Sequence, residues 1–162
     1  MAANRYAPHL YVIPEDDANR QIAVGFEKDY RIRPRSIQIV SPAGGWKKAL
    51  EKLSDDYYRI LEANQNSRVL VIIDCDCDTE RISRALDEVP EHLRDRVFIV
   101  GTKSEPELLR KTFNTSLEKI GQAIADECFD EEVKLWSHEQ LIHNSSEVKR
   151  LKRDLFSIVF DI

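Results

Sequence analysis

Short apolar runs alternate with amphipathic stretches along this chain. The apolar runs predict β-strands at residues 9–13, 36–40, 68–73 and 97–100. The third run is the most apolar and is rich in β-branched residues, which is typical of a central parallel strand covered on both faces. In the amphipathic stretches, apolar residues recur at helical spacing. These stretches predict helices at residues 18–28, 46–61, 79–87, 105–113 and 117–128.

The order of the predicted elements indicates the fold class. Strand and helix alternate at least four times, which favours an α/β fold with a doubly wound, mostly parallel, Rossmann-like sheet. We expect about four to five strands with helices on both faces, the fifth candidate being a short segment near residues 133–136. We interpret residues 1–162 as a single α/β domain with a helical C-terminal extension from about residue 115.

Composition places the chain among globular proteins, with 42% hydrophobic and 33% charged residues. No apolar run is long enough for a transmembrane helix and the first residues do not resemble a signal peptide, so we expect a cytoplasmic protein with no membrane partner. The net charge of -5 does not indicate a nucleic-acid-binding protein, because such proteins usually carry a basic excess. A metal-dependent nuclease can nevertheless be acidic, since the bound cations neutralise its carboxylates.

The cysteines do not indicate a disulfide framework. Their number, three, is odd, and the chain shows no secretory signal. Cys75 and Cys77 form only a C-x-C pair, which is weak support for a zinc site. We therefore predict that Cys75, Cys77 and Cys128 are small buried hydrophobic residues.

Acidic residues directly follow two of the predicted strands. The first cluster is Glu15, Asp16 and Asp17, and the second is Asp74, Asp76 and Asp78. Sites in open α/β sheets form at the carboxyl ends of the strands, so the two clusters converge if the first and third strands are neighbours. Four or more carboxylates in one place stay ionised together only around a cation, and oxygen ligands favour Mg²⁺ or Mn²⁺. A purely structural interpretation also stands, because Asp17 and Asp78 are suited to cap the helices that follow them.

An apolar strand that ends in glutamate, followed later by one that ends in Asp-x-Asp, resembles the Toprim domain of bacterial primases, topoisomerases and OLD-family nucleases. The matching segments are residues 10–15 and 69–76, and the similarity covers about residues 9–110. The resemblance implies that Glu15, Asp74 and Asp76 are catalytic, and that Mg²⁺ or Mn²⁺ is held by these three residues together with Asp78. Secondary candidates at the same edge are Asp16, Glu105 and Glu107.

The chain departs from the Toprim pattern at two glycine positions. Toprim domains usually place glycine just after the glutamate, where this chain has Asp16. They often place another soon after the second aspartate, where this chain has Cys77 and Asp78. These substitutions predict a loop geometry that differs from the usual one, in which Asp16 or Asp78 could add a ligand.

The resemblance implies a metal-dependent nuclease that cleaves phosphodiester bonds. We expect no topoisomerase or primase activity, because those enzymes need further domains. Nucleic acid is the expected partner, with Lys47, Lys48 and Lys103 as weak contact candidates. OLD-family nucleases couple Toprim to an ATPase, and this sequence has no G-x-x-x-x-G-K-[ST] motif, so any ATPase would be a separate chain. The same interpretation allows a homodimer and a role in defence against foreign DNA.

Two other functions fit the same pattern. Response-regulator receiver domains also place an acidic pair after strand one and a phosphorylated aspartate after strand three, which resembles Glu15, Asp16 and Asp74 here, with Thr102 after strand four. However, no Met-Pro follows Asp74 and no Lys-Pro follows a fifth strand. The third alternative is an interaction module that has kept a Toprim-like fold and lost its activity.

Overall fold

A four-stranded, all-parallel β-sheet forms the centre of the protein. The computed structural model describes residues 1–130 and 134–161. Within them the strands are β1 (His9–Pro14), β2 (Ile37–Ile39), β3 (Ser67–Asp74) and β4 (Val97–Thr102), in the spatial order β2-β1-β3-β4. The prediction of a doubly wound, parallel α/β fold is confirmed.

The first and third strands are neighbours in the sheet. β1 pairs with β3 from His9 opposite Ser67 to Pro14 opposite Ile72, and β3 pairs with β4 as far as Asp74 opposite Thr102. The three strands run in the same direction, so their carboxyl ends lie at one edge. This adjacency is the condition under which the two acidic clusters converge.

Helices connect the strands and cover the sheet. They are α1 (Asp17–Glu27), α2 (Trp46–Lys52), α3 (Tyr58–Ala63), α4 (Arg81–Glu88), α5 (Glu107–Phe113), α6 (Leu117–Asp130), α7 (Ser145–Asp154) and α8 (Phe156–Val159). A π-helical turn, Leu53–Tyr57, joins α2 to α3, so the predicted helix at 46–61 is one helical segment with an altered hydrogen-bond pattern in its middle. None of the helices in the described ranges is long and apolar enough to cross a membrane.

The predicted strand near residues 133–136 lies partly outside the described residues. Its described part, from Lys134 onward, forms turns rather than a strand, and the turns lead into a short 3-10 helix at Ile142–Asn144. The chain after β4 is helical from α5 to α8, in line with the expected C-terminal extension.

Each face of the sheet has its own apolar core. On one face, Leu10, Phe98 and Val100 pack with residues of α1, α6, α7 and α8. On the other face, Val71 and Ile73 pack with residues of α2, α3 and α4. Side chains of β3 alternate between the two cores, which explains why its sequence is apolar from Val69 to Ile73.

Two glycines allow α1 and α6 to touch backbone to backbone. A Cβ atom built on Gly25 would lie 1.9 Å from the carbonyl oxygen of Glu118, and one built on Gly121 would lie 2.0 Å from that of Ile22. Any side chain at either position would therefore force the helices apart. This close contact fixes the position of α1. The first turn of α1 directly follows Glu15 and Asp16 of the first acidic cluster.

Side chains of the C-terminal helices cover the outer edge of β4. The Asn144 amide pairs with both backbone groups of Gly101: Oδ1 accepts from the N–H at 3.0 Å, and Nδ2 donates to the carbonyl at 2.8 Å. Glu147 Oε2 accepts from the N–H of Ile99 at 2.9 Å. Side chains therefore make the hydrogen bonds that a fifth strand would make here.

Candidate functional site

Glu15 and Asp74 meet at the carboxyl ends of two adjacent strands. The backbone N–H of Glu15 donates to the carbonyl of Ile72 at 2.8 Å, which extends the β1–β3 pairing by one residue. Its side chain then turns toward β3, where Oε2 accepts a hydrogen bond from the backbone N–H of Asp74 at 2.6 Å. The structure therefore brings the leading residue of each acidic cluster into one place.

Two neutral donors hold the Asp74 carboxylate. Asn19, which is fully buried on α1, donates from Nδ2 to Asp74 Oδ1 at 3.2 Å, and Thr102 at the end of β4 donates from Oγ1 to the same oxygen at 3.3 Å. Burial, together with the negative charges of Asp16 and Glu15, raises the pKa of Asp74 to about 7, and the hydrogen bonds from Asn19 and Thr102 oppose the rise. The surroundings of this carboxyl group therefore disfavour its ionised form.

Glu15 lies in the same negative environment. Burial raises the pKa of Glu15, the hydrogen bond from the Asp74 N–H opposes the rise, and the charges of Asp16 and Asp76 add to it. The two acidic clusters are therefore in electrostatic contact across the β1–β3 boundary.

Asp16, rather than Asp17, caps α1. Asp16 has an extended backbone conformation, and its Oδ1 accepts from the N–H of Asn19 at 3.0 Å. Asp17 already belongs to the helix; its exposed carboxylate accepts hydrogen bonds from Arg20 and Gln21, each at 2.7 Å. The prediction that Asp17 is the cap was wrong by one residue, because the chain leaves the extended conformation only after Asp16.

The loop after β3 turns through two residues in the left-handed region. Asp76 has φ of 49° and Cys77 has φ of 65°. The N–H of Cys77 donates to the carbonyl of Lys103 at 2.6 Å, which ties the loop to the residue after β4. Glycine adopts this conformation most readily, and this chain reaches it with an aspartate and a cysteine instead.

This turn also separates the two nearby cysteines. Cys75 is fully buried, as predicted, whereas Cys77 is exposed because the left-handed residues carry it out of the strand direction. The prediction of a buried Cys77 was therefore wrong. Cys75 Sγ lies 3.8 Å from His143 Nε2, and burial raises the pKa of this thiol to about 12. The thiol is neutral at physiological pH and is not a nucleophile.

Arg81 places a cation against the acidic residues. Its Nη1 donates to Asp76 Oδ2 at 2.8 Å and to the Asp74 carbonyl oxygen at 3.0 Å. The guanidinium lies 4.1 Å from the ring centroid of Trp46, and the side chain is only 13% exposed. Its Nε is buried and has no partner within the described chain.

The sequence interpretation did not identify Arg81 or Trp46. The sequence positions of both residues nevertheless indicate that they lie near the acidic clusters. Trp46 follows Gly44 and Gly45 after β2, which is the same edge of the sheet, and Arg81 opens α4 five residues after Asp76. An arginine in the first turn of a helix is unfavourable for the helix dipole, so its position there calls for another explanation, and the acidic cluster supplies it.

The other predicted site residues occupy the surroundings of the pair. Asp78 pairs with Arg84, whose hydrogen bond holds the pKa of that carboxyl below its usual range. The remaining candidates follow the ends of the strands: exposed Lys47 and Lys48 in the first turn of α2, exposed Lys103 and Glu105 after β4, and half-buried Glu107 at the start of α5. For all six residues the assigned roles stay predictions.

The chemistry of the donors fits a hard divalent cation. Among residues 1–130 and 134–161, no three His, Cys, Asp or Glu side chains already stand in a metal-holding group. Mg²⁺ does not require one, since it is usually bound by one or two carboxylates, with waters and substrate phosphates completing its shell. Glu15 and Asp74 are the two carboxylates that such an ion would use, and Asp76 is bonded to Arg81.

Comparison with known proteins adds no relative. No family model, no curated protein and no solved structure matches this chain. The geometry around Glu15 and Asp74 and the short segments at 10–15 and 69–76 are therefore the basis for a proposed function.

Proposed function

We propose that this chain is a Mg²⁺- or Mn²⁺-dependent nuclease of Toprim type. The observation that carries the proposal is the 2.6 Å hydrogen bond between Glu15 Oε2 and the Asp74 N–H, which brings carboxylates from two adjacent strand ends together. Within this group Asp16 caps a helix, so Glu15 and Asp74 are the first two ligands proposed for the cation, and Asp76 would be the third in exchange for its contact with Arg81.

Glu15, Asp74 and Asp76 would hold the cation. When bound, it supplies the polarisation of a phosphodiester group and the stabilisation of charge on its oxygens. Asn19 and Thr102 orient Asp74 by bonding Oδ1, and Oδ2 would bind the cation. The two donors are neutral, so they fix the carboxylate without neutralising it.

Arg81 has two roles in this proposal. Without a cation it offsets the charge of Asp76 and of the neighbouring carboxylates. Once a cation takes over that role, its guanidinium becomes available to a phosphate, which it can bind in bidentate fashion. The Trp46 ring holds the guanidinium in place in both states.

The surroundings suit a nucleic-acid substrate. Exposed Lys47 and Lys48 in the first turn of α2 and exposed Lys103 after β4 are the proposed contacts to a phosphate backbone. A separate ATPase chain and a homodimer remain part of the proposal, on the strength of the OLD-family resemblance alone.

One observation favours a receiver-like phospho-acceptor as a second candidate. Thr102 Oγ1 donates to Asp74 Oδ1 at 3.3 Å, the relation expected between the strand-four hydroxyl and the phosphorylated aspartate. Against it, the place beside β4 where a receiver has its lysine-bearing fifth strand is taken by Asn144 and Glu147. We therefore rank the nuclease first.

The deciding experiment combines Mn²⁺ titration with cleavage assays on plasmid DNA and on RNA. Asp74→Asn should lose saturable Mn²⁺ binding, and both Asp74→Asn and Glu15→Gln should lose cleavage. Asp17→Asn is the matched control, because Asp17 is an exposed carboxylate in the first turn of α1 that accepts hydrogen bonds from Arg20 and Gln21.

Three outcomes contradict the proposal. Wild-type protein that binds no Mn²⁺ removes its basis. Equal loss in Asp17→Asn and Asp74→Asn shows that binding is not site-specific. Phosphorylation of Asp74 by acetyl phosphate, with Mg²⁺ present and no cleavage of either nucleic acid, establishes the receiver-like alternative.

A further inference from the structure

Arginine residues lie in a row at the amino-terminal edge of the sheet, opposite the acidic clusters. Each strand has one arginine beside its first residues: Arg35 precedes β2, Arg5 precedes β1, Arg68 is the second residue of β3, and Arg96 precedes β4. The spatial order β2-β1-β3-β4 sets these four residues side by side. Because neighbouring strands are about 4.8 Å apart, the arginine row is roughly 14 Å long.

Hydrogen bonds connect the members of the arginine row. The N–H of Asn4 donates to the carbonyl of Arg35 at 2.9 Å, which joins the residues before β1 to the residues before β2. The carbonyl of Arg5 accepts from Asn66 Nδ2 at 3.4 Å, and the carbonyl of Asn66 accepts from Arg68 Nη1 at 3.0 Å. The residues before β1, β2 and β3 therefore form one continuous surface.

Carboxylates do not neutralise the arginine row. Within residues 1–130 and 134–161, no carboxylate forms an ion pair with any of its four members. Arg35 donates from Nε to the carbonyl of Ala2 at 3.1 Å, and Arg96, which is buried, donates to three backbone carbonyls. These bonds hold the guanidinium groups in place without cancelling their charge, since a carbonyl oxygen is neutral.

The surroundings of Arg68 are electropositive. Burial lowers the pKa of Arg68, and the positive charge of Arg96 lowers it further, against the charges of Asp95 and Asp154. Asp154 is itself paired with Arg153. Nε and Nη2 of Arg68 make no hydrogen bond within the described chain, and they are accessible to solvent. An anion would therefore be favoured at these two atoms and could reach them.

Two features indicate which anion the arginine row fits. All four of its cations are arginine, whose planar guanidinium binds phosphate in a bidentate geometry that lysine lacks. Tyr6 follows Arg5 directly and is 97% exposed, and its N–H donates to Asn4 Oδ1 at 3.1 Å. An exposed aromatic ring beside phosphate-binding cations is a platform on which an unpaired base stacks.

We propose that this amino-terminal edge binds single-stranded nucleic acid, with the arginine row on successive phosphates and Tyr6 on a base. The net charge of -5 does not oppose such binding, because the two acidic clusters follow the other ends of the strands. β3 has eight residues, so the two edges are roughly 25 Å apart, well beyond the screening length of about 8 Å in physiological salt. The proposal does not rest on cation binding or on nuclease activity at Glu15 and Asp74.

The test measures the binding of a fluorescein-labelled oligothymidylate of about 12 nucleotides by fluorescence anisotropy. The full chain is kept in EDTA, so that cation binding and cleavage play no part. Three accessible arginines predict that log K falls with log salt concentration with a slope of about -2. A duplex of the same length should bind about threefold or more weakly, because its paired bases are not free to stack. Oligouridylate, which compares RNA with DNA, should bind within about threefold of oligothymidylate, since the contacts are to phosphates and a base face.

Substitutions in the arginine row test the phosphate contacts. Arg5→Gln combined with Arg35→Gln should lower the affinity about tenfold or more in low salt and reduce the salt slope by about 1.4. The Arg5 side chain makes no hydrogen bond within the described chain, so Arg5→Gln alone remains informative if the double variant does not fold. Arg84→Gln is the matched control, because it removes the same charge from an exposed arginine on α4, outside the row.

Substitutions of Tyr6 test the base contact. Tyr6→Ala should lower the affinity about fivefold or more and leave the salt slope unchanged, because a ring is lost and a charge is not. Tyr6→Phe keeps the ring and should bind as the wild type does. The side chain is almost fully exposed, so neither change disturbs the core.

Four results overturn the proposal. The first is no saturable binding of oligothymidylate in EDTA and low salt. The second is unchanged affinity in the folded arginine variants, which places the binding elsewhere. The third is an equal loss in Arg84→Gln, which reveals a general effect of charge. The fourth is full affinity in Tyr6→Ala or equal affinity for the duplex, which removes the recognition of single strands.

Discussion

Asn19 Nδ2 donates to Asp74 Oδ1 at 3.2 Å, so a buried amide on α1 fixes a carboxylate at the end of β3. The two residues are 55 positions apart in sequence. The backbone N–H of Asn19 also donates to the capping carboxylate of Asp16, which anchors the same residue in the first turn of the helix. Asn19 thus connects the helix start with the acidic pair.

Replacing Asn19 tests this connection. Asn19→Ala removes a buried hydrogen bond and should lower the free energy of unfolding by about 1–3 kcal/mol, measured by urea denaturation. It should also weaken Mn²⁺ binding about tenfold or more, since Asp74 loses an orienting partner. Gln21→Ala is the control, because Gln21 bonds only to the exposed Asp17. A loss of similar size in Gln21→Ala would show that the effect comes from the helix rather than from the Asp74 contact.

The raised pKa of Asp74 predicts an inverse dependence of stability on pH. Between pH 3.8 and about 7 the folded protein keeps a proton on Asp74 that the unfolded chain has lost. The free energy of unfolding contributed by this group therefore falls as pH rises through that window, and the penalty stays constant above it.

Asp74→Asn removes this penalty without changing the shape of the side chain. In EDTA the variant should be more stable than wild type near pH 8, by about 1 kcal/mol after allowance for the partial exposure of the group. The difference should shrink toward zero near pH 4. Asp17→Asn should change stability in the opposite direction at neutral pH, because hydrogen bonds from Gln21 and Arg20 lower the pKa of Asp17. Urea titrations across this pH range test both signs.

Arg81 and Arg84 lie one turn apart on α4 and form a natural comparison. Arg81 is 13% exposed and stacks on Trp46, whereas Arg84 is 58% exposed and pairs with Asp78 on the surface. Arg81→Ala should lower the free energy of unfolding by about 1–3 kcal/mol. Arg84→Ala should leave it nearly unchanged, because the ion pair is on the surface.

Mn²⁺ binding by Arg81→Ala and Arg84→Ala also separates a structural role of Arg81 from an electrostatic one. If Arg81 offsets the acidic group, its removal should strengthen Mn²⁺ binding even as the fold is weakened, and calorimetric titration measures this directly. Arg84→Ala should leave the affinity unchanged. Weaker Mn²⁺ binding in Arg81→Ala would instead mean that Arg81 shapes the site rather than competing for it.

The backbone contact between α1 and α6 predicts a large effect from one methyl group. Gly25→Ala would place Cβ 1.9 Å from the Glu118 carbonyl oxygen, so the helices must separate. We expect a loss of about 3 kcal/mol or more, seen as a lower midpoint in urea. Glu118→Ala removes only the exposed ion pair with Lys28 at the same interface and should cost about 0.5 kcal/mol or less. Comparable losses in the two variants would contradict the proposed close contact.

The strands could be predicted from sequence because their apolar runs are nearly continuous. The run at residues 68–73 has a β-branched character that a buried parallel strand requires, and β3 extends it by only one residue at each end. The adjacency of β1 and β3 could only be assumed, since a strand's own sequence does not specify its partner. The contact between Glu15 and Asp74 followed from that assumption.

Arg81 and Trp46 could not be placed in the same way. Their side chains come from different helices, and their stacking arises from the way α2 and α4 pack against the sheet. The exposure of Cys77 depends on the left-handed backbone conformation of Asp76 and Cys77. The sequence has no glycine at these positions that would indicate such a conformation. These features depend on backbone conformations and tertiary contacts that a one-dimensional pattern does not encode.

The Asn144 amide has a consequence for association between molecules. An uncovered strand edge is a template on which another chain can pair, and the Asn144 and Glu147 side chains occupy that template along β4. Within the described sheet, the opposite edge is β2, which is only three residues long. Two copies of this protein therefore have little strand to share, and a dimer would have to form through helical surfaces rather than through a continuous intermolecular sheet.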